Sequence, residues 1–377
     1  MNVKLYCDYA AQKPLLPEVK RAIQSFAELS DYHCNPSAIY KNGRKAHACI
    51  ENAREAVARA IGADKEEIYF TSGSTEAINW IMRTAIRNNI ITTQIEHSAI
   101  DINAYEREDG RCVFTLPVDT NGRIETNYLT NYLERYCNER SIAIIGYVNN
   151  EIGTIQPIEE ITKICHDNDT LIFVDGTQAI GQIPINVHKI GMDYMCGSFH
   201  KLGGLSGCGF LYCKKGSPLE PLFLGGQQEN GMRAGTENLL GIITGGIAIE
   251  RSVNDLENHI KKTTDIRDTI ISELLKILDS HLNGSMKNRV CNNINISFAD
   301  INADNLVLLL DTMGIQCSTG SACNSLSIEP SHVLEGIKTP DKYLFSSIRI
   351  TIDDNMETEQ IDYLIDSIKV CINKLKK

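Results

Sequence analysis

Residues 141–175 read SIAIIGYVNNEIGTIQPIEEITKICHDNDTLIFVD, and this stretch decides the fold. An apolar run ends at Val148, the amphipathic segment IEEITKICHDN follows, and a second apolar run ends on Asp175. Short apolar runs bounded by turn residues read as buried strands, while the segment between them carries a helical period. Strand, helix and strand in that order predict a crossover between parallel strands.

The same alternation continues outward in both directions. NGRKAHACIENAREAVARAIG puts Ile50, Ala53, Val57 and Ala60 on one helical face and stops at Gly62. EIYFT ends a strand at Thr71, NIITT ends one at Thr93, and FLY begins another after a glycine-rich turn. From about residue 42 to 290 the pattern therefore predicts an α/β fold, a large and mostly parallel sheet covered on both faces. Beyond DIRDTIISELLKILDSHL it changes: NNINISFAD, ADNLVLLLDTMG, SSIRITI and a final helix suggest a smaller α+β unit. In that helix Ile361, Leu364, Ile365, Ile368, Ile372 and Leu375 form one apolar stripe, read as core packing. The predicted division is a large α/β domain over 14–255 and a small α+β domain over 256–377, with residues 1–13 packing near the latter.

Composition narrows the function classes. The chain has 377 residues, 42% hydrophobic and 23% charged, the balance of an ordinary globular protein. Its formal charge of -11 argues against a general polyanion-binding surface, so no direct nucleic-acid partner is expected. Neither a signal-peptide pattern nor a membrane-spanning apolar run is read. The 13 cysteines are scattered and odd in number, which predicts reduced thiols and a cytoplasmic protein. Cys196 with His200, and Cys208 with Cys213, lack the spacing of a structural zinc site, so no metal is read.

Ligands in open α/β sheets sit beyond the carboxyl ends of the strands, and four stretches fall there. In FTSGSTEAIN, Ser74 and Thr75 open a helix, where small hydroxylated residues either cradle a phosphate or cap the helix. In IFVDGTQAIGQIP, Asp175 ends a buried strand and needs a cationic partner, either a ligand's ring nitrogen or a structural Arg or Lys. Gln178 either shares that ligand or caps backbone. In CGSFHKLGGLSGCGFLY, Lys201 is either a Schiff-base lysine for a carbonyl cofactor or an exposed loop residue. In TQIEHSAI, His97 either stacks on a planar ring or satisfies local backbone, and Asn149 and Asn150 in GYVNNEIGTIQPI either orient a ligand or make a turn. Together these are the parts of a pyridoxal phosphate pocket.

With these parts in view, the chain resembles the cysteine desulfurases of the NifS/IscS type, in the class V aminotransferase-like branch of fold-type I pyridoxal phosphate transferases. The resemblance runs through YCDYAAQKPLLPEV, NPSAIYKNGRKA, TSGSTEAIN, IEHSAI, VNNEIGTIQPI, DGTQAIGQIP, SFHKLGG, NGMRAGTEN and STGSACNSLSIEPSHVL to SSIRI, nearly the whole length. It implies pyridoxal 5'-phosphate bound to Lys201, with His97 stacked over the ring, Asp175 at its nitrogen and Gln178 at its phenolic oxygen. Ser74, Thr75, Ser198 and His200 would hold the phosphate, and Thr236 would reach it from the second subunit of a homodimer. Asn150 and Arg349 would hold the substrate, Arg349 by its carboxylate, for which a planar guanidinium is suited. Cys323 would be the catalytic nucleophile, taking sulfur from L-cysteine as a persulfide, releasing L-alanine and passing the sulfur to an acceptor protein such as an iron–sulfur scaffold or a thiolation enzyme. Small residues around Cys323 suit a loop that carries sulfur from pocket to partner. Cys317, at the edge of an apolar run, reads as structural.

The chain departs from the family pattern in three loops: Cys34 replaces a glycine, Gly204-Leu205-Ser206-Gly207 replaces GPKG, and ITIDDNMETEQ follows Arg349. Two kinds of rival remain, an aminotransferase or selenocysteine lyase on the same fold, and a non-enzymatic interaction protein that retained it.

Overall fold

The strands form where the apolar runs lie. The computed structural model describes residues 5–28, 34–84, 89–105 (102–105 by backbone alone), 112–136, 140–319 and 330–376. Its strands are β1 (Leu5–Tyr6), β2 (Ile68–Thr71), β3 (Asn89–Thr93), β4 (Cys112–Leu116), β5 (Ser141–Gly146) and β6 (Leu171–Asp175). They continue as β7 (Tyr194–Ser198), β8 (Gly209–Cys213), β9 (Ser280–Leu282), β10 (Asn293–Phe298), β11 (Ile315–Gln316) and β12 (Ser347–Thr351). Seven make one sheet in the order β2-β8-β7-β6-β5-β3-β4. Only β8 runs against the others in that sheet, antiparallel to both β2 and β7.

The central strands are apolar in every register because both faces are covered. Ile142, Ile144, Phe173 and Tyr194 enter a core with Trp80, while their neighbours Ala143, Ile145, Ile172 and Val174 enter the core on the other side. One expected strand is shorter than its apolar run. β5 stops at Gly146, not Val148: the Tyr147 N–H makes the last ladder bond, to the Asp175 carbonyl of β6 (2.9 Å), and Val148 then bridges to Ile155 in a returning loop.

The helix Lys41–Ile61 buries Ala46, Ile50, Ala53 and Val57 and ends on Gly62, whose φ of 71° lets its N–H reach the Ala58 carbonyl. It packs on the helix Leu239–Val253 with almost no side chain between them: a Cβ on Gly246 would come 2.8 Å from that of Ala53. A Cβ on Gly245 would come 2.2 Å from the Phe199 ring, so the absence of a side chain there seats the turn that carries Lys201.

A second sheet, β12-β10-β9, is antiparallel and has its own apolar core. The alternation of NINISF sends Ile294, Ile296 and Phe298 into that core, against Leu364, Ile365, Ile368 and Ile372 of the helix Thr358–Leu375. Ile361 and Leu375 complete the expected stripe at its half-buried margin. The other face of β10 is polar. Asn293 and Asn295 donate from Nδ2 to the Glu151 carbonyl at 3.0 and 3.1 Å, in the loop after β5. Asn295 is the register partner of Arg349 on β12, which puts Arg349 on this same polar face.

Candidate active site

A cavity of about 300 Å³ opens beyond the carboxyl ends of β5, β6 and β7, where an open parallel sheet leaves its crevice. At one end, Ser74 begins the helix Ser74–Thr84. Its N–H donates to Ser198 Oγ at 2.8 Å, and its own Oγ lies 2.8 Å from Ser198 Oγ and 2.5 Å from Thr177 Oγ1. The preceding Gly73 adopts φ 152°, and a Cβ on it would meet Ser198 Oγ at 3.4 Å. Thr75 is exposed at the lip. Three hydroxyls and a helix start converge here, a donor set suited to a phosphate.

Asp175 ends β6 at the middle of the cavity. Its Oδ1 accepts from the Thr177 N–H (2.9 Å), from Thr177 Oγ1 (2.5 Å) and from the Cys196 thiol (3.4 Å). Asp175 lines the cavity, and no cationic side chain is within salt-bridge distance of it among the described residues. His97 precedes the helix Ser98–Tyr105. Its Nδ1 accepts from the Ala99 N–H at 3.1 Å, which places the ring proton of the neutral form on Nε2.

Lys201 lies on the short turn Phe199–Lys201 after β7, and its Nζ donates to the carbonyls of Ala10 (2.5 Å) and Ala11 (2.7 Å). Gln178 Nε2 donates to the same Ala10 carbonyl at 3.0 Å. The N-terminal segment is tied to this turn by Lys13 N–H to the His200 carbonyl and Leu16 N–H to the Gly203 carbonyl, both 3.0 Å. Burial, aided by the Lys201 charge, lowers His200 to about 4, so its ring is neutral at physiological pH.

Arg349 is buried and reaches the cavity from β12. Nη1 donates to the Asn150 carbonyl (3.0 Å) and Nη2 to Asp8 Oδ1 (2.8 Å). The backbone of β12 at Arg349 is bridged to Ser318, whose N–H donates to the Arg349 carbonyl at 3.1 Å. The cavity thus gathers Ser74, Thr75, His97, Asn150, Asp175, Gln178, Ser198, His200, Lys201 and Arg349. Thr236 is not among its lining residues; it is exposed beside Gly235. Cys323 lies outside the described residues. Cys317 is half-buried, and desolvation with the nearby Asp8 carboxylate pushes its thiol up to about 12.

Three acid–base residues of the cavity were not singled out from the sequence: Glu96, Glu151 and His332. Glu96 is fully enclosed; its Oε1 accepts from Thr93 Oγ1 and its Oε2 from the Gly146 N–H, both at 2.8 Å. Burial raises it to about 7. Glu151 accepts from Ser331 Oγ at 2.5 Å, and burial raises its pKa also. The available signal was positional: Glu96 and Glu151 each adjoin a residue already chosen, His97 and Asn150.

The Aminotransferase class-V family matches residues 5–364. A cysteine desulfurase IscS of Dictyoglomus turgidum is 41% identical, over 100% of this chain and 96% of its own length. The chain belongs to the cysteine desulfurases of the class-V aminotransferase family. A NifS-like protein of known structure superposes on this desulfurase with a TM-score of 0.90 at 33% identity, covering 98% of this chain and 99% of its own. A further structure, SspA in complex with cysteine, does so with a TM-score of 0.80 at 28% identity, covering 93% of this chain and 99% of its own. These relatives do not favour the rival readings as an aminotransferase, a selenocysteine lyase or a non-enzymatic protein. No described helix of the desulfurase is long and apolar enough to cross a membrane.

Proposed function

We propose that this cysteine desulfurase acts on L-cysteine with pyridoxal 5'-phosphate and places the sulfur on Cys323. One observation carries the proposal: a hydroxyl-lined helix start, a strand-end carboxylate, a histidine, a lysine and an arginine line a single cavity. These are the groups that a phosphate, a ring nitrogen, a ring face, a carbonyl and a substrate carboxylate require. Ser74, Thr75, Ser198 and His200 hold the phosphate. Asp175 would pair with the ring nitrogen, His97 would cover the ring, Gln178 would meet its phenolic oxygen, and Lys201 would anchor the cofactor by its carbonyl. When bound, the cofactor supplies an electron-withdrawing ring that loosens the bonds at Cα and Cβ of the amino acid.

Arg349 and Asn150 orient the substrate by its carboxylate. Lys201 would move the proton from Cα. The Cys323 thiolate then attacks the substrate's sulfur. An S–S bond forms, the C–S bond breaks with its electron pair going to carbon, and that carbon gains a proton. Thiol and cysteine become persulfide and alanine, so no outside oxidant is needed.

The persulfide is passed to an acceptor protein in iron–sulfur cluster assembly or another thio-cofactor or tRNA sulfur route. Thr236 serves the phosphate of a second copy in a homodimer, which its exposed place outside the cavity of its own chain supports. The small α+β domain over 256–377 carries Arg349 and the Cys323 loop, and the large domain over 14–255 carries Lys201. The protein works in the cytoplasm, in keeping with the free thiols of its described cysteines.

The test is incubation with L-cysteine, quantifying sulfide and alanine, with alkylation and mass spectrometry to locate the persulfide. Cys323→Ala should abolish the persulfide, and unchanged desulfuration in that variant refutes the assignment. Lys201→Ala should lose the yellow absorbance of the bound cofactor.

A further inference from the structure

L-cysteine brings three polar groups into the cavity. Arg349 would meet its carboxylate, and its amine would face the cofactor held at Lys201. The thiol remains, and the fold restricts what can receive it. Three of the cavity's polar side chains outside the proposed roles are already engaged with the fold. Both oxygens of Glu96 are used. Asn149 accepts from the Glu151 and Ile152 N–H groups and donates to the Ile95 carbonyl. Gln156 accepts from the Ile124 N–H and donates to the Gly122 carbonyl.

His332 is different. Its Nε2 lies 2.9 Å from the Glu96 carbonyl oxygen, which can only accept, so Nε2 bears the hydrogen. The neutral ring then presents Nδ1 as an acceptor, and among the described residues nothing donates to it. His332 lines the cavity. It lies at the substrate end, since its neighbour Ser331 is bound to Glu151, the residue after Asn150, whose carbonyl accepts from Arg349. The ring is fixed there from two sides, by the Glu96 carbonyl and by its neighbour Ser331, whose hydroxyl is bound to Glu151 at 2.5 Å.

We propose that His332 is a substrate-contacting residue whose Nδ1 accepts a hydrogen bond from the thiol of bound L-cysteine, orienting the sulfur and selecting cysteine over alanine. The inference rests on the desulfurase reading given above and adds the group that recognises the reacting atom. A neutral imidazole suits the task, because it accepts from S–H without placing a second buried anion beside Glu151.

The test measures binding rather than turnover. The parent is the cofactor-loaded Cys323→Ala variant, and L-cysteine and L-alanine are titrated into it by calorimetry. Adding His332→Gln keeps a nitrogen donor for the Glu96 carbonyl and shifts the remaining acceptor, the amide oxygen, away from the Nδ1 position. The preference for cysteine over alanine should fall about threefold to tenfold, the worth of one hydrogen bond, while alanine binding stays unchanged. His332→Asn, whose amide oxygen can stand near the lost Nδ1, should restore part of the preference. Nitrogen NMR of the histidines in the substrate-free enzyme should show His332 neutral with Nε2 protonated. A cysteine preference that survives His332→Gln within twofold, or a His332 protonated on Nδ1 alone, overturns the proposal. A parent that binds alanine but never cysteine overturns the desulfurase reading itself.

Discussion

Replacing Glu96 by glutamine should remove a definite pH dependence from the stability of the protein. The carboxyl is enclosed between β3 and β5, accepts two hydrogen bonds and faces the carboxylates of Asp175 and Asp101. Burial, with those two charges, holds it at about 7 in place of an ordinary 4.5. A raised carboxylate stabilises the folded chain in its protonated form. That contribution is fully present below pH 4.5 and is lost as the pH rises through 7. Integrating the two titrations from pH 5 to pH 8 gives a loss of about 2.5 kcal/mol. Glutamine does not titrate, so the stability of the wild type relative to Glu96→Gln should drop by that amount across the interval. Parallel urea unfolding of both proteins at the two pH values measures it, and other titrating groups cancel in the double difference. A difference that stays constant within about 0.5 kcal/mol, or that grows with pH, refutes the reasoning.

Arg349→Lys keeps a charge but loses the planar two-pronged donor. Steady-state kinetics should show kcat/KM for L-cysteine reduced roughly tenfold to hundredfold, the value of a charge-assisted hydrogen bond. Gly245→Ala should destabilise the protein by about 1–3 kcal/mol in urea despite alanine's better helix propensity, because the new Cβ would meet the Phe199 ring. Cys317→Ala should leave sulfide release and the trapped persulfide unchanged in a desulfuration assay, since a thiol at about 12 holds little thiolate at neutral pH.

The sheet was legible because each buried strand is a short apolar run with a polar stop, and Asp175, Ser74 and Lys201 are easily found as residues that follow such stops. Residues 147 and 148 misled for the same reason: they are apolar, but the ladder to β6 ends at the Tyr147 N–H and Val148 bridges to Ile155, which no local pattern shows. Arg349 sits mid-strand, so only the family resemblance pointed to it; its place on the polar face of the small sheet explains why it faces the cavity. Glu151 and His332 join the site through partners 180 and 236 residues away in the chain, Ser331 and the Glu96 carbonyl. Thr177 was hidden between two residues already chosen, and its hydroxyl bridges Asp175 and Ser74 only once β2 and β6 lie in one sheet.

Arg349 and Lys201 are rooted beside different apolar cores, one under β10 and β12 and the other under the large sheet. An amino acid held by both is therefore a brace across the molecule. At a hundred times its dissociation constant such a ligand adds about 2.7 kcal/mol to the folded state, and opening of either core forfeits it. On the roles proposed for Arg349 and Lys201, substrate supply and mechanical integrity would be linked: the enzyme starved of cysteine would also be the one whose two cores are least firmly joined.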